Sequence, residues 1–177
     1  MSQSFPIRPE RAADDDTILA LQMAAFGPGA AARAAFRVRE QAPHDAALSF
    51  VLTEEEVILA SVRQTHVQVG EDAGLLLGPL VVAPEHKNRG MGRALVRHAL
   101  DAARAAGERF VILVGDRPYY APLGFTECVG RTVRMPGPVD PARLLVAELK
   151  PGVAATLKGM VEGVAPALSA PRGTIAR

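Results

Sequence analysis

Leu80-Val81-Val82-Ala83-Pro84-Glu85-His86-Lys87-Asn88-Arg89-Gly90-Met91-Gly92-Arg93-Ala94-Leu95 runs from a β-branched strand, through a glycine-punctuated turn, into an alanine-rich helix. Upstream, Gly74 to Val82 is apolar on both faces apart from Gly78 and Pro79, the pattern of a strand buried on both sides in a mixed or parallel sheet. Pro84 ends that strand. From Gly90 onward, Leu95, Val96, Ala99, Leu100 and Ala103 recur at helical spacing, while Arg93, Arg97, Asp101 and Arg104 fill the opposite face and Gly107 supplies a stop. The first turn of such a helix has N–H groups without partners and carries the positive end of the dipole. Gly90 and Gly92 let a ligand approach the main chain with no Cβ in the way. The segment reads as a cradle for phosphate.

Three phosphate-binding patterns compete for it. A P-loop places Lys-Ser/Thr after its second glycine, whereas Arg93-Ala94 follow Gly92, so no hydroxyl is set for a metal. A dinucleotide fold wants a third glycine where this chain has Leu95. What remains is a strand ending in Val82-Ala83-Pro84 followed by Lys87-Asn88-Arg89-Gly90-Met91-Gly92, which resembles the acetyl-CoA signature of the GNAT N-acetyltransferase superfamily. Lys87 stands where that family usually has Gln or Arg. A second landmark lies downstream: Phe110-Val111-Ile112-Leu113-Val114 precedes Gly115-Asp116-Arg117-Pro118-Tyr119-Tyr120-Ala121-Pro122-Leu123-Gly124-Phe125, which contains the family's Tyr-x-x-x-Gly-Phe. Leu77-Gly78-Pro79-Leu80, Val114-Gly115-Asp116 and Pro118-Tyr119-Tyr120 together resemble the bacterial YhbS-type branch. The resemblance covers residues from about Ile7 to about Leu149.

Composition bounds the rest. A chain of 177 residues with 49% apolar and 22% charged content is ordinary for one α/β core. Twenty basic against nineteen acidic side chains leave no basic field of the kind that attracts nucleic acid. Met1-Ser2-Gln3-Ser4-Phe5-Pro6 lacks the features of a signal peptide, and no stretch reaches the roughly 18 apolar residues of a membrane span. A cytoplasmic protein with no membrane partner is expected. Cys128 stands alone, so no internal disulfide forms, and no paired thiol or His cluster supplies a metal site. Cys128 reads as a small buried hydrophobe, and His66 and His86 as surface residues.

Periodicity and punctuation organise the chain. Ile7-Arg8-Pro9 begins as a short strand, and Asp14-Asp15-Asp16 opens a helix carrying Ile18, Leu19, Leu21, Met23 and Phe26 until Gly27-Pro28-Gly29 breaks it. A second helix is expected from Ala30 to Glu40. Ala47–Leu52 and Val57–Val62, separated by Thr53-Glu54-Glu55-Glu56, read as an antiparallel hairpin. Thr132–Met135 and Leu144–Leu149 are candidate late strands. The tail from Pro151 is poor in large apolar residues, so residues 1–150 are expected to form the acetyltransferase domain and 151–177 a partly ordered extension.

Gly78-Pro79 inside a strand marks a bulge, because proline cannot donate to the ladder and glycine tolerates the kink. The family resemblance implies an α+β domain whose mixed, mostly antiparallel sheet, flanked by helices, splays in a V between two central parallel strands. Main-chain groups of Leu80, Val81 and Val82 would then bond the pantetheine arm of acetyl-CoA, a form of strand addition. Lys87, Asn88, Arg89, Gly90, Met91, Gly92, Arg93 and Ala94 would hold the pyrophosphate, and the Val82 amide would serve as oxyanion donor.

Direct attack by a primary amine on the thioester expels a thiolate that needs a proton. Tyr120, four residues before Gly124, occupies the family's Tyr position as general acid and cofactor contact, with Tyr119 as the neighbouring alternative. Many relatives place a glutamate base on the strand that here reads Leu75-Leu76-Leu77, so that base is missing. Glu54, Glu55, Glu56, His66, Asp116 or a water relay are the candidates. Acceptor loops are expected near Phe26 to Arg39, His66 to Ala73 and Met135 to Arg143, open to a small amine or a protein amine. A homodimer is compatible with the family. The rivals to an enzyme are a noncatalytic CoA-binding sensor and an interaction module.

Overall fold

The computed structural model describes residues 5–27, 34–128, 130 and 132–166. β1 (Ile7–Pro9), β2 (Phe50–Glu54), β3 (Val57–Val69), β4 (Asp72–Val82), β5 (Phe110–Val114), β6 (Thr126–Glu127) and β8 (Leu144–Glu148) form one path in the order β1-β2-β3-β4-β5-β8-β6. β9 (Gly159–Gly163) joins β3 and pairs with β7 (Val133–Arg134). Every pairing along the main path is antiparallel except β4 with β5.

Helices cover both faces. α3 (Met91–Ala105) buries Leu95, Val96, Ala99, Leu100 and Ala103 against Leu75 and Leu77 of β4 and Val111 and Leu113 of β5, the face its apolar spacing predicts. The opposite face holds Leu76 and Ile112 against Ala34 and Val38 of α2 (Ala34–Gln41). α1 (Asp15–Phe26) fixes itself through Ile18, which packs on Val51 and Ile58. Of the expected second helix, residues 30–33 lie outside the described residues, as do Pro28 and Gly29 of the expected break.

Three elements differ from the sequence reading. The first hairpin strand starts later than Ala47, because Asp45 accepts from the Ala47 amide and winds Ala46–Leu48 into a 3-10 turn. β3 runs on to Val69 rather than ending at Val62, since Val67 and Val69 continue the buried alternation. The third difference lies after Pro151. α5 (Val153–Thr156) buries Val153, and β9 pairs Val161 with Val69, so the sheet continues past residue 150. Gly159 makes this fit possible: its φ is 127°, and a side chain there would collide with the main chain of Gly70. Few large apolar residues carry the segment, but Val153, Leu157 and Val161 are buried in the core. Residues 167–177 lie outside the described residues.

Candidate acetyl-CoA and acceptor site

The parallel seam between β4 and β5 is two residue pairs long, Leu75 with Val111 and Leu76 with Ile112. Beyond it β4 stays with β3 as far as Val82, while β5 stays with β8 through Leu113 and Val114. The two strands part in a V. On β3 the register steps from Val62 opposite Leu80 to Gln64 opposite Leu77, so Gly78 and Pro79 together face Arg63. This is the expected bulge. The Gly78-Pro79 peptide is cis.

Main-chain direction follows from the pairing. The Ala83 amide donates to the Leu59 carbonyl across the β3 edge. Successive strand amides alternate between edges, so the Val82 and Leu80 amides face the gap. Pro79, Leu80 and Val82 are half-buried, whereas Val81 turns its side chain into the protein.

At the wide end of the gap α3 begins. Gly90 caps it at φ 84°, and Asn88 is also left-handed at φ 62°. The first helical hydrogen bond of the turn runs from the Ala94 amide to the Gly90 carbonyl, leaving the Met91, Gly92 and Arg93 amides ahead of it. Lys87, Asn88, Arg89, Gly90 and Arg93 are exposed, while the Met91 side chain is buried and anchors the turn. Met91 therefore offers an incoming anion its amide and not its side chain. A Cβ on Gly92 would meet Leu80 and Val82 at 3.6 Å and the Tyr119 hydroxyl at 2.5 Å, so cradle and gap are contiguous.

The second motif folds over the end of β5. α4 (Arg117–Tyr120) starts at Asp116, and its two tyrosines meet edge to face at 4.8 Å. They point to different places. The Tyr119 ring reaches the start of α3 under the Arg93 guanidinium, 5.4 Å away. The Tyr120 ring covers Gly115 and packs on Phe125. Burial, reinforced by Tyr119 and Asp116, pushes the Tyr120 phenol up to about 12. Burial also raises Tyr119, with Arg93 pulling the other way.

A cleft of about 880 Å³ extends from the gap to the face carrying α1 and α2. Its wall includes Leu77, Leu80, Leu113, Tyr119 and Tyr120 on the gap side and Met23, Phe26 and Phe36 on the helix side. Two of the expected acceptor segments, around Phe26 to Arg39 and Met135 to Arg143, contribute to it. The third does not. Residues 66–73 form the ends of β3 and β4 and their tight turn, with Val67 and Val69 buried under β9.

Of the base candidates, only Asp116 lines the cleft, and it is largely exposed beside Arg143 at 3.3 Å. Glu54, Glu55 and Glu56 form the β2–β3 turn, and Glu54 lies 3.9 Å from Arg89. His66 is half-buried between Asp45 at 2.7 Å and Glu108 at 3.7 Å rather than lying free on the surface. Cys128 is partly buried in the second core, and burial raises its thiol to about 11.

The sequence reading missed a charged cluster in the cleft wall. Arg63 donates twice to Glu10, at 2.6 and 3.1 Å, and once to Asp15 at 2.6 Å. His44 Nε2 lies 3.0 Å from Glu10 Oε1. Burial alone would raise the Glu10 carboxyl, but the hydrogen bonds from His44 and Arg63 outweigh it and hold the group below the ordinary glutamate value. An arginine within Ala60-Ser61-Val62-Arg63-Gln64-Thr65 was the available signal, since a charge in a buried strand requires a partner. Among the described residues no group of three or more His, Cys, Asp or Glu side chains is arranged to hold a metal, and no helix is long and apolar enough to cross a membrane.

A mixed sheet that opens beside a glycine-led helix, with tyrosines over its end, defines an acyl-transfer fold. Residues 16–125 match the acetyltransferase (GNAT) family, and the chain belongs to that family. Over 93% of this chain and 92% of the other, it is similar to the GNAT family N-acetyltransferase YhbS from Escherichia coli, solved in complex with CoA, with a TM-score of 0.75 at 25% identity. A GNAT family acetyltransferase from Brucella melitensis, solved with acetyl-CoA, matches with a TM-score of 0.66 at 27% identity over 90% of this chain and 95% of that one. In sequence, 55 residues are 36% identical to the uncharacterized N-acetyltransferase YjhQ of Escherichia coli strain K12, a match spanning 31% of this chain and 30% of that protein.

Proposed function

We propose that this protein transfers the acetyl group of acetyl-CoA to a primary amine by direct attack within a ternary complex. The observation that carries the reading is the two-pair seam of β4 and β5, which leaves the Val82 amide facing a gap that runs from the α3 cradle to the acceptor cleft. Family membership and the ligands of the two similar structures support acetyl-CoA as the cosubstrate.

The residues divide the work. Gly90, Met91, Gly92 and Arg93 offer amides to the pyrophosphate, the Ala94 amide being taken up by the Gly90 carbonyl, and Lys87, Asn88 and Arg89 form its exposed rim. Leu80 and Val82 present gap-facing main chain to the pantetheine arm, whereas Val81 pairs with Ser61 on β3. Val82 borders the α3 cradle, so the Leu80 amide, nearer the apex, is the donor to the carbonyl oxygen as it gains charge. Tyr120 gives a proton to the departing sulfur, and its raised pKa keeps it protonated throughout the neutral range. A cleft of about 880 Å³ is of the size that encloses small ligands, which favours a small amine as acceptor.

Release of free thiol from acetyl-CoA, measured across small amines, amino acids and peptides, tests the reading. Thiol release that depends on one class of amine supports it. Binding of acetyl-CoA without release for any amine points instead to a noncatalytic sensor.

A further inference from the structure

We propose that His44, oriented by Glu10, is the group that takes the proton from the acceptor amine, an inference that rests on the acetyltransfer reading. The reaction needs such a group, and β4 offers Leu75, Leu76 and Leu77 with no carboxylate among them.

Backbone pairing brings His44 to the correct side of the sheet. His44 bridges Thr65 on β3, Thr65 pairs with Leu76 on β4, and Leu76 is the last residue before β4 leaves β5. Two strand spacings, about 10 Å, therefore separate the His44 main chain from the apex of the V, the end of the gap where the thioester lies when the pyrophosphate sits on the α3 cradle. The imidazole and an amine, with or without one water, bridge that span. His44 lines the same cleft as Leu77 and Tyr120, and its side chain is 28% exposed. Thr65 Oγ1, fully buried in the same wall, has no hydrogen-bond partner among the described residues. A polar ligand group belongs beside it.

The hydrogen bond dictates the tautomer. An ionised carboxylate only accepts, so the 3.0 Å contact to Glu10 requires a proton on His44 Nε2 and leaves a lone pair on Nδ1. Arg63 makes that arrangement durable. Its paired contacts keep Glu10 ionised inside the protein, and Glu10 in turn stabilises the imidazolium once the proton has moved. The charged groups around this pair are Asp15 on Arg63, Arg39 from α2, and Asp116, Asp140 and Arg143 across the cleft.

The protons balance. Nδ1 takes one proton from the ammonium form of the acceptor and passes it to solvent. The freed nitrogen pair forms the C–N bond, the C–S bond breaks with its electrons on sulfur, and Tyr120 protonates the thiolate. The second proton lost by nitrogen restores the phenol. Ammonium and thioester give amide, thiol and one proton. His44 is the catalytic residue here, whereas Glu10 and Arg63 are positioning residues.

The test follows thiol release against pH in wild-type, His44→Gln, His44→Ala and Glu10→Gln proteins, together with 15N NMR of the histidine rings and acetyl-CoA affinity. His44→Gln is expected to lower kcat/KM about 10²- to 10⁴-fold and to remove the acidic limb of its pH profile while acetyl-CoA still binds. Added imidazole restores activity to His44→Ala. In the resting protein NMR shows the proton of His44 on Nε2, and Glu10→Gln weakens that preference. Wild-type kcat/KM in His44→Gln, or a proton on Nδ1, overturns the assignment alone. Loss of acetyl-CoA binding in His44→Gln overturns it in favour of a structural role. A wild-type protein that releases no thiol with any amine overturns the acetyltransfer reading and this assignment with it.

Discussion

The Tyr119 hydroxyl stands 2.5 Å from the position a β-carbon on Gly92 would take. Gly92 is therefore required twice, once by the close approach of a ligand to the helix start and once by a side chain arriving from the end of β5. Arg93, the next residue, lies over the face of the same ring at 5.4 Å and holds it there. The two motifs, separate in the chain, touch at this point.

Gly92→Ala drives a methyl group against Tyr119 in a packed setting and is expected to cost about 1–3 kcal/mol of stability. Pairing it with Tyr119→Phe removes the colliding oxygen and recovers most of that loss. Chemical unfolding of the two single variants and the double variant reads the coupling. Simple additivity of the two costs would refute the contact.

Tyr120→Phe is expected to reduce kcat by about 10²- to 10⁴-fold with little change in acetyl-CoA affinity, and Tyr119→Phe by much less. Burial holds the Tyr120 phenol near 12, so wild-type kcat shows no alkaline limb from this group across neutral pH. Steady-state kinetics with a reactive amine measures both effects. A Tyr120→Phe enzyme with unchanged kcat removes the residue from the chemistry.

Binding of acetyl-CoA at 100 times its Kd should raise unfolding free energy by about 2.7 kcal/mol. The accompanying protection from hydrogen exchange should fall on gap-edge amides, Leu80 and Val82 first, because β5 gives them no partner. Protection confined to the helices would argue against strand-like binding of the pantetheine arm.

Arg63→Met leaves Glu10 buried without its paired guanidinium contacts and is expected to destabilise the protein by about 3–5 kcal/mol at neutral pH. Glu10 sits below the ordinary value, about 4.3, so its stabilising contribution is present above that pH and fades as pH falls through the lower native value. Without Arg63 the balance tips toward burial and acid unfolding begins at a higher pH. Denaturant titrations from pH 3 to pH 7 follow the shift.

Truncation after residue 150 removes Val153, Leu157 and Val161, all nearly inaccessible, and uncovers the β3 edge at Val67–Val69. At roughly 1.5–3 kcal/mol for each buried aliphatic side chain, the shortened chain loses much of an ordinary domain's margin. The urea midpoint of the shortened chain reports the loss, and an unchanged midpoint would make the segment a passive appendage.

The cradle and the bulge were legible because each breaks a local rule in a way few structures tolerate. Gly90-Met91-Gly92 opens an amphipathic helix, and Gly78-Pro79 interrupts an otherwise apolar strand. The seam of β4 and β5 was legible only by family likeness, since periodicity states that a strand is buried and not where its neighbour departs. The His44, Glu10 and Arg63 cluster escaped notice because its members come from three segments whose meeting depends on strand register. The part of the segment after Pro151 that joins the sheet escaped the pattern for a related reason. Val153, Leu157 and Val161 are too sparse to register as a pattern, yet each finds a place prepared by distant residues.

Because two residue pairs alone stitch β4 to β5, the sheet behaves as two plates sewn at one corner, with Phe110 filling the space a side chain on Gly74 would need. What keeps the plates at a fixed angle is α3, whose buried stripe rests on both at once. The same helix presents its dipole to whatever enters between them. Charge and slot width therefore hang on a single lever, and no substitution along its inner stripe can retune one without moving the other.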